Sequence, residues 1–142
     1  MNVEYSYEKT GYSNILAPKI PELTIKNLLG SKQKSLNVLL DTGYDGFLVI
    51  PEEIYEDLEL HTFEVMEDEI PIVETFSGEK FILRTANTLI EVEELLDETI
   101  IEVDTTPYCK EPLIGRQLLE LFIAVLDGRE KILKLEYPEN DV

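Results

Sequence analysis

The chain has 142 residues, and its 30 Asp and Glu residues against 12 Lys and Arg residues give a formal net charge of -18 at pH 7. Because 44% of the residues are hydrophobic and the charges are interleaved with them, we expect one folded domain over residues 1–142, with its core at about residues 20–137. The negative charge argues against nucleic acid and anionic membranes as main partners, since phosphate groups would be repelled. The longest apolar run, residues 121–126, is too short to span a membrane, and residues 1–12 lack the apolar core of a signal peptide, so we expect a cytoplasmic protein.

The first half of the chain predicts three strands and a helix. Residues 21–28 alternate apolar and polar side chains, which is typical of a half-buried strand. Residues 36–40 and 47–50 are more continuously apolar and predict buried strands. Residues 51–58 predict a helix, because Pro51 fits the first helical position and acidic residues follow it.

The second half predicts further strands, two hairpins and a second short helix. A strand is expected at 63–66, and a hairpin turns at Ser77-Gly78 between residues 70–76 and 80–85. A closing hairpin is expected around Asp127-Gly128, a favoured turn dipeptide. The remaining elements are strands at 89–92 and 99–103 and a helix at 117–121. The predicted fold class is therefore mostly β with two short helices.

The numbers of cysteine and histidine residues restrict the disulfides, metal sites and nucleophiles that the chain can form. The chain has one cysteine, Cys109, and one histidine, His61, so it has neither an internal disulfide nor the usual four-ligand zinc site. A Cys109–His61 nucleophile and base is disfavoured, because a lone cysteine is more often a small core residue. The common nucleotide-binding and serine-hydrolase motifs are absent. We predict no metal and no cofactor.

The informative segment is residues 37–51, which contains Asp41-Thr42-Gly43 between two apolar runs. One interpretation is an ordinary turn, since Asp, Thr and Gly are common turn residues. A second is a calcium-binding loop at 41–52, but Gly43 supplies no side-chain oxygen and the preceding residues predict a strand where an EF-hand has a helix. A third is a carboxylate held on a rigid loop between two buried strands, with Gly43 allowing a ligand to come close to the backbone.

The third interpretation resembles the active-site loop of the retroviral-type, or retropepsin-like, aspartic proteases. Residues 112–119, Pro-Leu-Ile-Gly-Arg-Gln-Leu-Leu, are similar to that family's Ile-Gly-Arg segment, and the two motifs have the family's order and spacing. Residues 75–80 lie where the family carries its flap hairpin. The resemblance spans about residues 23–135 and implies a closed β-barrel of the acid-protease fold with a flap hairpin.

Hydrolysis of a peptide by carboxylates needs two of them, and this chain has one Asp-Thr-Gly. The stoichiometry implies a two-fold homodimer in which Asp41 meets its symmetry mate, and the two share one proton. The expected function is an aspartic endopeptidase that binds a peptide or protein substrate, with no nucleic acid and no membrane as partner. The alternative is a catalytically inactive peptide-binding or dimerisation module of the same fold.

The resemblance also implies roles for individual residues. Asp41, Thr42 and Gly43 form the catalytic motif, and Thr42 hydrogen-bonds across the dimer interface. Asp45 and Arg116 form an internal ion pair that, together with Gly115, supports the loop. The residues expected to bind substrate are Gly43, Tyr44, Asp45, Ser77 and Gly78. Many viral members have Ala at the position of Tyr44, so a differently shaped site is expected here.

Overall fold

The fold is described from a computed structural model, which covers residues 1–10, 14–65, 72–74 and 77–138. The described residues form mostly strands, with two short α-helices and one 3-10 helix at Leu60–Phe63. The helices are α1 (Glu52–Asp57) and α2 (Arg116–Leu119). The strands in chain order are β1 (Asn2–Ser6), β2 (Glu8–Lys9), β3 (Leu16–Ala17), β4 (Lys19–Lys26), β5 (Gln33–Leu40), β6 (Leu48–Pro51), β7 (Ile72–Glu74), β8 (Lys80–Ile82), β9 (Arg84–Val92), β10 (Leu96–Thr106), β11 (Leu113–Ile114), β12 (Ile123–Asp127) and β13 (Ile132–Glu136).

Six strands close into a barrel in the order β10-β6-β11-β5-β4-β9. The short strand β11 is parallel to β5 and antiparallel to β6, so it lies between them. The loop that leaves β5 and enters β6 is therefore held next to β11, which comes from a distant part of the sequence. This arrangement places residues 41–47 against residues 112–116.

The barrel interior follows from the alternation of side chains along the strands. In β4, Leu23 and Ile25 are fully buried, while the residues between and beside them are partly exposed. The long strand β9 likewise buries every second residue, including Ile90. Since successive side chains of a strand point to opposite faces, one face of each strand lines the core and the other meets solvent. The prediction of a mostly β fold with a closed barrel and two short α-helices is confirmed.

A second sheet is built from the two ends of the described chain, in the order β1-β13-β12. Strand β1 pairs with β13 from Asn2 opposite Glu136 to Ser6 opposite Ile132. The inner face of β13 is buried through Leu133 and Leu135. The N-terminal residues thus cover one side of the final hairpin, a role that the sequence alone left undetermined.

The predictions for residues 51 and 63–66 differ from the structure in detail, whereas the closing hairpin lies where the sequence predicts it. Residue Pro51 is the N-cap of α1 and not its first helical residue. Of the strand expected at 63–66, Phe63 belongs instead to the 3-10 helix, because Leu60 and Phe63, three residues apart, both pack on the core. Residue 66 lies outside the described residues. The final turn has four residues between Asp127 and Ile132, and the Asp127 carboxylate accepts the backbone N–H groups of Arg129 and Glu130.

The β7–β8 hairpin has the predicted location, with Ile72 opposite Ile82 and Glu74 opposite Lys80. Residues 70, 71, 75 and 76 of the predicted hairpin lie outside the described residues. In the described part of the chain, no helix combines the length and the apolar character needed to cross a membrane.

Candidate active site

Asp41 lies at the point where the chain leaves the barrel strand β5. The strand ends with Leu40, which is buried, and the next backbone N–H, that of Asp41, donates to the Ile114 carbonyl of β11 at 2.9 Å. The Leu40 N–H donates to the Pro18 carbonyl at 3.0 Å. The backbone on both sides of the Cα of Leu40 is therefore fixed, and Asp41 begins the loop from a rigid support.

The Asp41 carboxylate has one hydrogen bond within its own loop. Its Oδ1 accepts the backbone N–H of Gly43 at 2.9 Å, which makes a short turn around Thr42. Asp41 is half-buried, whereas Thr42 and Gly43 are exposed. Thr42 and Gly43 are thus accessible to a ligand or a second chain, while the Gly43 N–H orients the Asp41 carboxylate.

The Tyr44 side chain turns back into the protein. Its hydroxyl donates to the Asp104 carboxylate of β10, and the Leu48 carbonyl lies 3.3 Å away. The second carboxylate oxygen of Asp104 accepts the Thr85 hydroxyl at 2.6 Å. Burial, followed by the hydrogen bond to Asp104, raises the pKa of Tyr44 far above its ordinary value, so the hydroxyl remains a donor.

Two glycines make room for this tyrosine. A Cβ on Gly115 would lie 2.6 Å from both the Tyr44 ring and the Tyr44 carbonyl oxygen, and closer still to the Gly46 carbonyl. A Cβ on Gly46 would lie 2.5 Å from Cζ of Tyr44. Non-bonded atoms cannot approach that closely, so the position of the Tyr44 ring requires glycine at residues 46 and 115.

The structure brings Asp45 and Arg116 together in an ion pair, as the resemblance implies. In the single chain, 77% of the Asp45 side chain and 60% of the Arg116 side chain are exposed. Solvent weakens such a pair. The connection between the loop and α2 rests more on the backbone, where the Arg116 N–H donates to the Tyr44 carbonyl at 2.9 Å and the Gln117 N–H to the Gly46 carbonyl at 3.2 Å.

The predicted flap residues lie at the turn of the β7–β8 hairpin. Ser77 and Gly78 are exposed, and Gly78 has a φ of 86°, which glycine adopts without strain. Next to them, Glu79 accepts a hydrogen bond from the Tyr108 hydroxyl, which links the hairpin to the loop after β10. The expected flap residues Thr75 and Phe76 lie outside the described residues.

The geometry gives little support to a calcium-binding loop or to Cys109 as a nucleophile. The segment 41–52 is preceded by a strand, so the helix–loop–helix of an EF-hand is not formed. In the part of the chain that the structure describes, no group of three or more His, Cys, Asp and Glu side chains could hold a metal ion. The Cys109 thiol donates to the Glu111 carbonyl, and burial raises the pKa of the thiol to about 11, which leaves little thiolate near neutral pH.

Sequence reasoning missed the Asp104–Thr85 anchor of Tyr44. Tyr44 and Asp104 are 60 residues apart, and Thr85 lies on a third segment. Asp104 follows the buried Val103 in an alternating strand, which is the pattern of an outward-facing residue. The pairing of β9 with β10 sets Asp104 opposite Thr85, and the loop after β5 brings Tyr44 to them.

Comparisons with known proteins place this geometry in a familiar architecture. No family model and no curated protein matches the sequence. Among solved structures, the chain is similar to a retropepsin-like aspartic protease from Rickettsia conorii, with a TM-score of 0.57 and 13% identity over 95% of this chain and 91% of that one. It is also similar to the EIAV protease complexed with the inhibitor HBY-793, with a TM-score of 0.49 and 21% identity over 78% of this chain and 92% of that one.

A third similar structure is the retroviral protease-like domain of Ddi1 from Leishmania major, with a TM-score of 0.48 and 13% identity over 88% of this chain and 99% of that one. The similarity to the Rickettsia protein, together with the closed barrel, confirms the retropepsin-like fold that the sequence motifs predict.

Proposed function

We propose that the protein is an aspartic endopeptidase that acts as a homodimer, with Asp41 of each chain forming the catalytic pair. The observation that carries this proposal is the position of Asp41-Thr42-Gly43 at the end of β5, hydrogen-bonded to β11, in a retropepsin-like barrel. The protein of that fold from Rickettsia conorii is described as an aspartic protease. A half-buried carboxylate beneath an exposed loop tip suits a site that is completed by a second chain.

The chemistry follows from two adjacent carboxyl groups that share one proton. The ionised Asp41 removes a proton from a water molecule, whose oxygen attacks the carbonyl carbon of the scissile amide. The protonated mate donates a hydrogen bond to the carbonyl oxygen and stabilises the charge that develops there. The tetrahedral intermediate then breaks its C–N bond, and the amide nitrogen leaves as an amine after it accepts a proton from the pair. No covalent bond to the enzyme forms.

The remaining predicted site residues are assigned to positioning and substrate binding. Thr42 is exposed, as a residue that hydrogen-bonds to a partner chain must be before the dimer forms. An extended peptide would contact the exposed backbone at Gly43 and the neighbouring Asp45 on one side, and Ser77 and Gly78 of the hairpin on the other. The net charge of -18 would favour basic or neutral peptides through steering.

Among the described residues, the surface best suited to a second copy is the edge of β12 that no described strand pairs. Ile123, Ala124, Val125 and Leu126 are consecutive, apolar and exposed, with Ile123 at 55%. Ala124 and Leu126 lie opposite the buried Leu135 and Leu133, so the inner layer of the sheet continues uncovered to its edge. Another β12 added in antiparallel register would pair this edge and cover the apolar strip in a two-fold arrangement.

The opposite edge of the same sheet is less suitable. Strand β1 carries Glu4 on its exposed face, where it forms an ion pair with Lys134 of β13 at 3.8 Å. Charged side chains protect an edge against pairing with another strand. The difference between the two edges favours β12 as the dimer surface.

Cleavage of a diverse peptide mixture between about pH 3 and 8 tests the catalytic role of Asp41. Wild type and Asp41→Asn are compared with EDTA present, and the oligomeric state of each is measured by sedimentation. We expect cleavage by the wild type and a loss of at least about a thousandfold in the variant, because an amide cannot remove the proton from water.

The outcome separates the candidate functions. Cleavage that survives Asp41→Asn would contradict the mechanism. A wild type that binds peptides without cleaving any of them would instead favour the inactive peptide-binding module, especially if it sediments as a monomer.

A further inference from the structure

The Tyr44 hydroxyl belongs to a hydrogen-bond network that ends on two paired strands of the barrel. Both carboxylate oxygens of Asp104 accept hydroxyl groups, one from Tyr44 and the other from Thr85. Thr85 and Asp104 lie opposite each other on two paired barrel strands. The acceptor for the Tyr44 hydroxyl is therefore anchored in the barrel wall.

Backbone hydrogen bonds connect Tyr44, whose side chain is anchored in this way, to Asp41 of the catalytic motif. Its N–H donates to the Asp41 carbonyl at 3.2 Å, and its carbonyl accepts the Arg116 N–H at 2.9 Å. Between Asp41 and Tyr44, the Gly43 N–H donates to the Asp41 carboxylate. A movement of the Tyr44 side chain would thus shift the turn that orients the Asp41 side chain.

The Tyr44 ring packs closely against the backbone of two glycines. It is enclosed by Gly46 and Gly115, where any Cβ would overlap it. The neighbouring Asp45–Arg116 pair is exposed and supplies a weaker restraint. Of these two side-chain restraints on the loop, the Tyr44 hydroxyl is the better shielded from solvent.

We propose that Tyr44 is a positioning residue for Asp41, and that Asp104 and Thr85 hold it in place. The proposal rests on the proposed peptidase function and goes beyond it by assigning to Tyr44 an internal role in place of the substrate contact expected from the sequence. The three side chains form one unit, so loosening any of them moves the Asp41 turn.

Kinetics of Tyr44→Phe test this role. The variant keeps the ring but loses the donor to Asp104, and we expect kcat to fall about tenfold while KM stays within about twofold, because a misplaced carboxylate affects the chemical step. Tyr55→Phe is the matched control, since Tyr55 is also buried and its hydroxyl also donates to a carboxylate, that of Glu64, at 3.0 Å. Thr85→Val removes the hydrogen bond from Thr85 to Asp104 but keeps the one from Tyr44, so it should give a smaller loss of kcat.

A second readout does not depend on activity. The NMR amide shift of Gly43 reports its hydrogen bond to the Asp41 carboxylate, and Thr85 is distant from Gly43 in sequence. We expect Thr85→Val to move this signal and Glu64→Gln, which alters the partner of Tyr55, to leave it in place.

Each outcome decides for or against the positioning role. A raised KM with unchanged kcat in Tyr44→Phe would make Tyr44 a substrate contact and overturn the proposal. Equal losses of kcat in Tyr44→Phe and Tyr55→Phe, or an unmoved Gly43 signal in Thr85→Val, would also overturn it. If the wild type cleaves no peptide, the peptidase proposal fails, and the Gly43 signal alone decides whether the network positions the loop. If Tyr44→Phe does not fold, Thr85→Val supplies both readouts.

Discussion

The barrel and the terminal sheet, which is formed by β1, β13 and β12, differ in whether every strand is paired on both sides. In the barrel, each of the six strands has a hydrogen-bonded neighbour on both sides, so no edge is left open. In the terminal sheet, β13 is paired on both sides, but among the described strands β1 and β12 each have a neighbour on one side only. A closed barrel is complete in one chain, whereas an open sheet can be extended by another strand.

The same difference appears in the side chains. Leu23 and Ile25 of β4 are fully buried within the barrel, whereas Ile123 and Val125 of β12 remain about half exposed. Elsewhere on the described surface, exposed large apolar residues are single, as Ile100 is on β10, or occur in pairs, as Leu28 and Leu29 do. A continuous apolar strip on an unpaired strand is a feature of interaction surfaces.

The two regions therefore suit two different tasks. The barrel holds Asp41, Tyr44 and Arg116 in fixed relation by bonds that lie within one chain. The terminal sheet leaves a surface for the second copy that the proposed catalytic pair of Asp41 residues needs. A substitution in the barrel should affect the folding of each chain, and one at the β12 edge should affect assembly.

The largest effect is expected where the barrel loops pack most closely. Gly115→Ala should lower the free energy of unfolding by about 3 kcal/mol or more, because the new Cβ would overlap the backbone oxygens of Tyr44 and Gly46. Gly128→Ala, in the terminal hairpin, is the control. A Cβ there meets nothing within 4 Å, so its effect should stay within about 0.5 kcal/mol. Denaturant unfolding of both variants measures the difference, and equal losses would mean that the close packing at Gly115 is not needed.

A smaller effect is expected for a charge placed on the β12 edge. Val125→Asp should weaken the proposed dimer by about 2 kcal/mol, a roughly thirtyfold increase in Kd, because a charged side chain on an edge strand opposes pairing with a second strand. Ile100→Asp is the control, since Ile100 is an isolated exposed residue on a barrel strand and the change in charge is the same. Sedimentation equilibrium at several concentrations gives both constants, and peptidase activity should fall in parallel with the dimer fraction. A Kd that is unchanged in Val125→Asp would place the dimer surface elsewhere.

The sequence predicts those features of the fold that depend on local patterns. Alternation along residues 21–28 identifies β4, and the Asp-Thr-Gly and Ile-Gly-Arg motifs indicate which two loops meet. The features it does not predict depend on contacts between distant segments. The pairing of β1 with β13 joins the two ends of the chain, and the bond from Tyr44 to Asp104 spans 60 residues. No periodicity within either segment carries that information, because register between distant strands is decided by packing in the folded chain.

The exposure of the Asp45–Arg116 pair is a further feature that motifs do not reveal, and it leads to the smallest expected effect. Asp45→Asn removes the charge from one partner while the backbone bonds from Arg116 and Gln117 to the loop remain. Because both side chains are mostly exposed, we expect unfolding of the single chain to become easier by less than about 1 kcal/mol, with the difference shrinking further at high salt. Denaturant unfolding at low and high salt measures it, with Asp57→Asn as control, since Asp57 forms an exposed ion pair with Lys34 at 2.8 Å. A loss several times larger in Asp45→Asn than in Asp57→Asn would contradict this expectation and show that the pair holds the loop more strongly than the exposure of its side chains implies.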